Sequence, residues 1–167
     1  MITSIKEFEG LWSYEGEATL KLLRVLTDAS LGQAIVPGQR TLGRMAWHLT
    51  LSLGEMMGKT GLQLDAPGED APVPASAQAI AAAYEKASRS MLEGIKSSWT
   101  NATLKVEDDM YGEKWKRGVT LDALVRHQAH HRGQMTVLMR QAGLKVPGVY
   151  GPALEEWAGM GMPAPEV

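Results

Sequence analysis

His127 and His131 stand four residues apart in the run Val125-Arg126-His127-Gln128-Ala129-His130-His131-Arg132-Gly133-Gln134. On a helix, residues i and i+4 share one face a turn apart, so two imidazoles at this spacing can reach a common point. Outside that run the chain has one further histidine, His48, in Trp47-His48-Leu49-Thr50. Two imidazoles from one helix and one from another make a three-nitrogen set with coordination positions left open, the pattern of a catalytic rather than a closed structural metal site. Such a set leaves zinc, nickel, iron and manganese open as occupants, because imidazole suits several of them. The competing reading is plain: buried histidines are commonly hydrogen-bonded core residues, and i, i+4 pairs arise by chance on solvated helix faces. The pair alone favours neither reading; His48 on a second helical segment tips the balance towards metal.

The neighbours of these histidines define what else a site would hold. Projected at about 100° per residue, His131 falls near the middle of the apolar stripe of its helix and His127 at the edge. His130 falls outside the stripe, as a surface residue or an outer partner of the site. His48 projects beside its own stripe on the flank shared with Met45 and Ser52, which places the site at the mouth of a helical assembly rather than at its centre. Glu55, seven residues after His48, shares its face and is a candidate base or outer partner, with a solvated glutamate as the simpler alternative. Gln134, three residues after His131, is placed to orient a ligand or a bound water, or to serve as an ordinary boundary residue.

Four helical segments must position these side chains. Ser4 followed by Glu7 has the form of a capping box, and Ile5, Phe8, Leu11, Trp12, Leu22, Val25 and Leu26 recur at helical spacing, predicting a first helix to about Ala29. Gly32, Pro37 and Gly38 break the pattern, and Thr41 is placed to cap a second helix with Leu42, Met45, Ala46, Leu49, Leu53, Met56 and Met57 as its stripe. Gly58 and Gly61 end it. Pro67, Gly68, Pro72 and Pro74 mark a loop, after which Ser76 starts an alanine-rich helix to about Ser98. Thr103–Val106 and Glu113–Lys116 flank Asp108, Asp109 and Gly112, which suggests a short hairpin or a loop. Thr120 is expected to cap the strongest helix, whose inward stripe includes Leu121, Leu124, Val125, Gln128, His131, Met135, Leu138 and Met139, with Gly143 as its stop. A last short helix is expected from Pro152 through Trp157. The pattern is all-α, a four-helix bundle with a short extra C-terminal helix, and bundle interiors commonly assemble metal sites from facing helices.

Composition narrows the function classes. A chain of 167 residues with 44% apolar content can bury one substantial core, so residues 1–167 read as a single domain. The net charge of −2 and pI near 6.1 offer little counterion release, which argues against nucleic acid as a partner. Lys114-Trp115-Lys116-Arg117 is short and offset by Glu107, Asp108, Asp109 and Glu113, so it reads as part of a charged hairpin. With no cysteine, a metal must be held by His, Asp or Glu. No stretch is long enough to span a membrane and the first ten residues lack a signal-peptide core, so a cytoplasmic protein is expected. No phosphate-binding loop or nucleophile elbow is present.

His48, the stretch His127-Gln128-Ala129-His130-His131-Arg132-Gly133-Gln134 and the later Gly148-Val149-Tyr150-Gly151-Pro152 resemble the DinB-like (YfiT-type) superfamily of metal-dependent enzymes. The resemblance covers nearly the whole chain, and His-x-x-x-His-Arg-Gly-Gln is its most specific part. It implies a four-helix bundle of the DinB/YfiT-like type, frequently a homodimer, with a divalent ion held by His48, His127 and His131; His130 fits the family's doubled histidine but is not carried over as a ligand. The resemblance further implies thiol-dependent S-transferases and isomerases that use low-molecular-weight thiols; because three neutral imidazoles around a divalent ion can activate a thiol or water, the expectation for this chain is a thiol-dependent S-transferase or a hydrolase acting on a small-molecule substrate, with zinc or nickel ahead of iron or manganese. The alternative from another class is a non-catalytic, stress-related metal-binding bundle.

Overall fold

The chain is described over residues 1–166 by a computed structural model. Four helices carry it: α1 (Ile5–Leu23), α2 (Leu42–Gly58), α3 (Ala77–Ser98) and α4 (Arg117–Gln141), with a hairpin of β1 (Glu107–Met110) and β2 (Glu113–Lys116) leading into α4. Helix α1 packs on α3 and α4, and α2 also packs on α3 and α4, so α1 and α2 lie on one diagonal of the bundle. That arrangement sets α2 beside α4, the two helices that carry the histidines. The core between them includes Phe8, Trp12, Leu22, Leu49, Leu53, Tyr84, Met91 and Leu124, and the stripe methionines Met45, Met56, Met57, Met135 and Met139 are all buried. Each large apolar side chain so buried contributes about 1.5–3 kcal/mol before entropic costs. No helix among the described residues is long and apolar enough to cross a membrane.

Three helix starts follow the sequence. Ser4 Oγ accepts from Glu7 N at 3.0 Å, Thr41 Oγ1 from Arg44 N at 3.2 Å and Ser76 Oγ from Ala79 N at 3.3 Å, each satisfying an otherwise free donor of the first turn. The Glu7 carboxylate returns to Thr3 N at 3.1 Å, one residue before the cap. Gly143, with φ 75°, closes α4 as its position predicts.

Three boundaries depart from the sequence reading. Helix α1 ends at Leu23 rather than near Ala29, because Thr27 and Ser30 bond reciprocally to each other's backbone and set up a 3-10 turn over Asp28–Gly32. Asp28 Oδ1 then accepts from Ala77 N at 2.7 Å and ties that turn to the start of α3. The first hairpin strand is Glu107–Met110, later than expected, since Thr103–Lys105 forms a 3-10 turn whose Thr103 hydroxyl accepts from Thr100 N at 3.0 Å. The register pairs Glu107 with Lys116 and Asp109 with Lys114, so opposite charges face one another across the strands. Helix α4 begins at Arg117, three residues before Thr120. The hairpin supplies the start: Arg117 N donates to Val106 O at 2.9 Å, while Thr120 Oγ1 donates back to Lys116 O at 3.5 Å instead of capping. The N-terminus crosses this junction so closely, with Ile2 N donating to Gly118 O at 3.0 Å, that a Cβ at Gly118 would collide with Ile2 O.

The C-terminal segment holds two 3-10 turns, Leu154–Glu156 and Ala158–Met160, where a short helix is expected. The Glu156 carboxylate explains this. It accepts from Gly148 N and Ala153 N, both at 3.0 Å, which folds the segment back on itself before a helical ladder can form.

Candidate metal centre

Helix α4 is fixed in rotation by the residue between the two histidine turns. Gln128 is fully buried, and its amide reaches every other helix of the bundle. Its Nε2 donates to Leu49 O at 3.0 Å and Ser52 Oγ at 3.2 Å on α2. Its Oε1 accepts from Tyr84 on α3 at 3.2 Å and lies 3.4 Å from Thr19 Oγ1 on α1. A buried amide so satisfied resists any turn of α4 that would unpair it. A second buried set locks the same helix to α1. Arg132, 2% exposed, donates to Glu15 O at 3.0 Å and Thr19 Oγ1 at 2.9 Å, and pairs with the Glu15 carboxylate. Tyr150, from the C-terminal segment, donates to Glu15 Oε2 at 2.7 Å and receives a bond from Arg132.

With α4 so oriented, His127 and His131 meet His48 from α2. One ligand atom from each of the three imidazoles lies within 4.8 Å of the others, and the ring centroids are 4.5–4.9 Å apart. His48 Nε2 and His127 Nε2 are 3.1 Å apart. Two lone pairs at that distance repel unless a proton or a cation lies between them. The separation of 3.1 Å is short enough for both nitrogens to bond one ion at about 2.1 Å each.

The third ligand has its tautomer set from outside. His131 Nδ1 lies 2.7 Å from Gln134 Oε1. A carbonyl oxygen only accepts, so Nδ1 carries the proton and Nε2 keeps its lone pair, the usual arrangement behind a ligating histidine. Burial pushes His48 down to about 4, with the charges of His131, Arg40 and Arg44 adding to it. Burial likewise pushes His127 down to about 4, followed by the charges of His131 and His48. His131 is lowered mainly by burial. All three are therefore neutral imidazoles at pH 7, the form in which a metal is bound. The donor set, its spacing and its protonation fit a divalent ion.

The remaining candidates divide. His130 is exposed, packs edge-on against the His131 ring at 4.9 Å and lies outside the cluster of three. Glu55 lines a cavity of about 350 Å³ together with His48, Ser52, His127, Tyr111 and Trp115. Tyr111 occupies the hairpin turn at φ 59°, an uncommon conformation for a side chain of its size, and donates from its hydroxyl to Glu55 Oε1 at 2.9 Å. Burial, then the bond to Glu55, raises that hydroxyl above the ordinary tyrosine range, so it remains a donor. The basic hairpin run is neutralised locally: Arg117 forks onto Asp108 at 2.8 and 3.1 Å, and Lys114 lies 3.6 Å from Asp109.

Sequence reasoning missed Tyr111, Arg40 and the Glu15–Arg132–Tyr150 set. Glu15, three residues after Trp12 on the inward face of α1, and Arg132, four after Gln128, were the available signals: charged residues on otherwise apolar stripes.

A sequence model of the DinB family matches residues 1–166. The uncharacterized protein YrdA of Bacillus subtilis is 48% identical over 167 residues, which is 100% of both chains. The crystal structure of a DinB-like protein from Bacillus cereus is similar with a TM-score of 0.87 at 47% identity, over 90% of this chain and 100% of that one. The DinB-like protein YjoA of Bacillus subtilis shares the fold at 14% identity, with a TM-score of 0.68 over 86% of this chain and 97% of its own.

Proposed function

This chain belongs to the DinB family, and on that premise we propose that it is a divalent-metal-dependent enzyme, an S-transferase or hydrolase, whose ion is held by His48, His127 and His131. The observation that carries the proposal is the convergence of three neutral imidazoles within 4.8 Å at the edge of a cavity. Zinc or nickel is favoured over iron or manganese by an all-nitrogen donor set without a carboxylate. When bound, the ion supplies Lewis acidity that brings the pKa of an adjacent thiol or water towards neutral.

The chain's own groups do the rest. Gln134 holds His131 in the ligating tautomer, and Gln128 with the Glu15–Arg132 pair holds the helix that carries two of the three ligands. Glu55, in the same cavity as His48 and His127, is the carboxylate placed to take a proton from the activated group, and the Tyr111 hydroxyl fixes its orientation. Trp115 and Met56 line that cavity with apolar surface, which limits competing water. The co-substrate of this reading is a low-molecular-weight thiol and the assembly a homodimer, both inherited from the family; light scattering tests the second.

The first test is metal content of the purified protein by inductively coupled plasma mass spectrometry, for wild type and His131→Ala. About one ion per chain in wild type and little in the variant supports the site. No metal in either after reconstitution with zinc or nickel overturns it. Strong thermal stabilisation by metal with no response to any thiol or substrate would replace the enzymatic reading with that of a non-catalytic metal-binding bundle.

A further inference from the structure

A second cavity, which shares no lining residue with the one that Glu55 lines, opens beside His131. It measures about 590 Å³, within the range of small-molecule sites, and is lined by Ile35, Val36, Val137 and Leu138, with His131 in its wall and Arg40 among its lining residues. Ile35 is 65% exposed, and Val36 and Val137 are each 50% exposed. Scattered exposed aliphatics are ordinary, but three gathered in one concavity beside a polar centre leave apolar surface that a ligand would cover. Arg40 forms no salt bridge or side-chain hydrogen bond among the described residues. Its guanidinium is thus a free cation with its donors unspent, next to a hydrocarbon wall.

We propose that this cavity is the substrate-binding site, and that it takes a small carboxylate with a hydrocarbon body, its carboxylate on Arg40 and its apolar part against Ile35, Val36, Val137 and Leu138. A guanidinium matches a carboxylate in shape and charge through two parallel N–H···O bonds, which a neutral or cationic headgroup cannot form. The apolar wall supplies affinity and the arginine supplies selection. A second protein copy is the poorer occupant. The surface is concave and ends on His131, a polar group that a protein side chain would leave without a use. The inference rests on the reading of the three-histidine cluster as the reaction centre, because the cavity shares His131 with it.

The test is titration calorimetry with octanoate, 1-octanol and octylamine as probes, on wild type, Arg40→Gln and Val137→Asp, each in metal-free and zinc-loaded form, with metal content measured in parallel. Octanoate is expected to bind metal-free wild type at one per chain and more tightly than octylamine. Arg40→Gln should weaken octanoate by about tenfold, the low end for charged hydrogen bonds because Arg40 is exposed, while leaving 1-octanol binding and metal content unchanged. Val137→Asp should weaken octanoate and octanol alike. Failure of octanoate to bind, equal affinity for octylamine, or indifference to Arg40→Gln overturns the proposal. Octanoate bound only when zinc is present, and insensitive to Arg40→Gln, also overturns it, since the carboxylate would then be on the ion. Full metal content without octanoate binding removes the substrate site and spares the metal centre. Octanoate selection by Arg40 in a protein that takes up no metal removes the metal centre and spares this site.

Discussion

Replacing Gln134 by alanine should weaken metal binding without unfolding the protein. The side chain touches the site through one bond, the 2.7 Å contact from His131 Nδ1 to its Oε1. Loss of that acceptor lets the ring turn about its last torsion and lets the proton move to Nε2, so part of the population no longer presents a lone pair. Outer partners of ligating histidines are worth about 10–100-fold in affinity, or about 1.4–2.8 kcal/mol. Gln134 is exposed, and water can stand in for part of the bond, whose net worth is about 0.5–1.5 kcal/mol. The low end applies, and a loss of about tenfold is expected. The assay is competition of metal-free protein with a chromophoric chelator for zinc and for nickel at pH 7, beside a thermal melt to show that the fold is intact. Gln134→Glu is the control: a carboxylate is the stronger acceptor, raises the basicity of the ring and should bind at least as tightly as wild type. An alanine variant within about twofold of wild type, folded and monodisperse, would refute the reasoning, because the tautomer argument predicts an effect no smaller than one net hydrogen bond.

Acid should act late on metal binding and earlier on the metal-free fold. With His48 and His127 held at about 4 and His131 lowered below its ordinary value, the decline of metal affinity in acid should follow no more than one proton until pH approaches 4, where it steepens; a decline following two or three protons that begins at about 6.5, the ordinary histidine value, would refute the buried-imidazole picture. For the metal-free protein, the unfolded chain takes up protons first, so stability present above about 6.5 is lost progressively as pH falls to about 4, readable in denaturant melts. Glu15→Gln leaves the buried Arg132 without its counter-charge and should cost about 3 kcal/mol, or about 10 °C in Tm for a chain of this size; Glu15→Met with Arg132→Met should recover most of it, and failure to recover would show that the charges themselves are needed. Gly118→Ala forces a Cβ towards Ile2 O and should destabilise by about 1–3 kcal/mol, seen as a lowered denaturation midpoint with an unchanged slope; a neutral result would mean that the N-terminus is free to move away.

Much of the fold was written locally. The caps at Ser4, Thr41 and Ser76 and the stop at Gly143 read correctly because a cap is a contact between residues three or four apart, which the chain holds whatever the tertiary arrangement. The boundaries that moved did so where a distant partner intervened. Asp28 reaching Ala77 accompanies the early end of α1, and Arg117 N finding Val106 O starts α4 before its expected threonine. Glu156 closing on Gly148 N replaces a helix with 3-10 turns.

The sequence by itself determined that His127 and His131 share a helix face, because 3.6 residues per turn requires it. It also determined, through the spacing of its apolar residues, that these helices assemble around a common core. Only the tertiary structure decided that α2 lies beside α4, so that His48 completes the cluster, since adjacency in a bundle depends on which apolar faces pack together and not on order along the chain. It alone decided that Tyr111 meets Glu55 across 56 residues and that the loop carrying Ile35, Val36 and Arg40 walls the cavity beside His131. Those contacts join segments whose local sequence carries no trace of the partner, and they form only when burial of the core has already overcome the entropy of bringing the segments together.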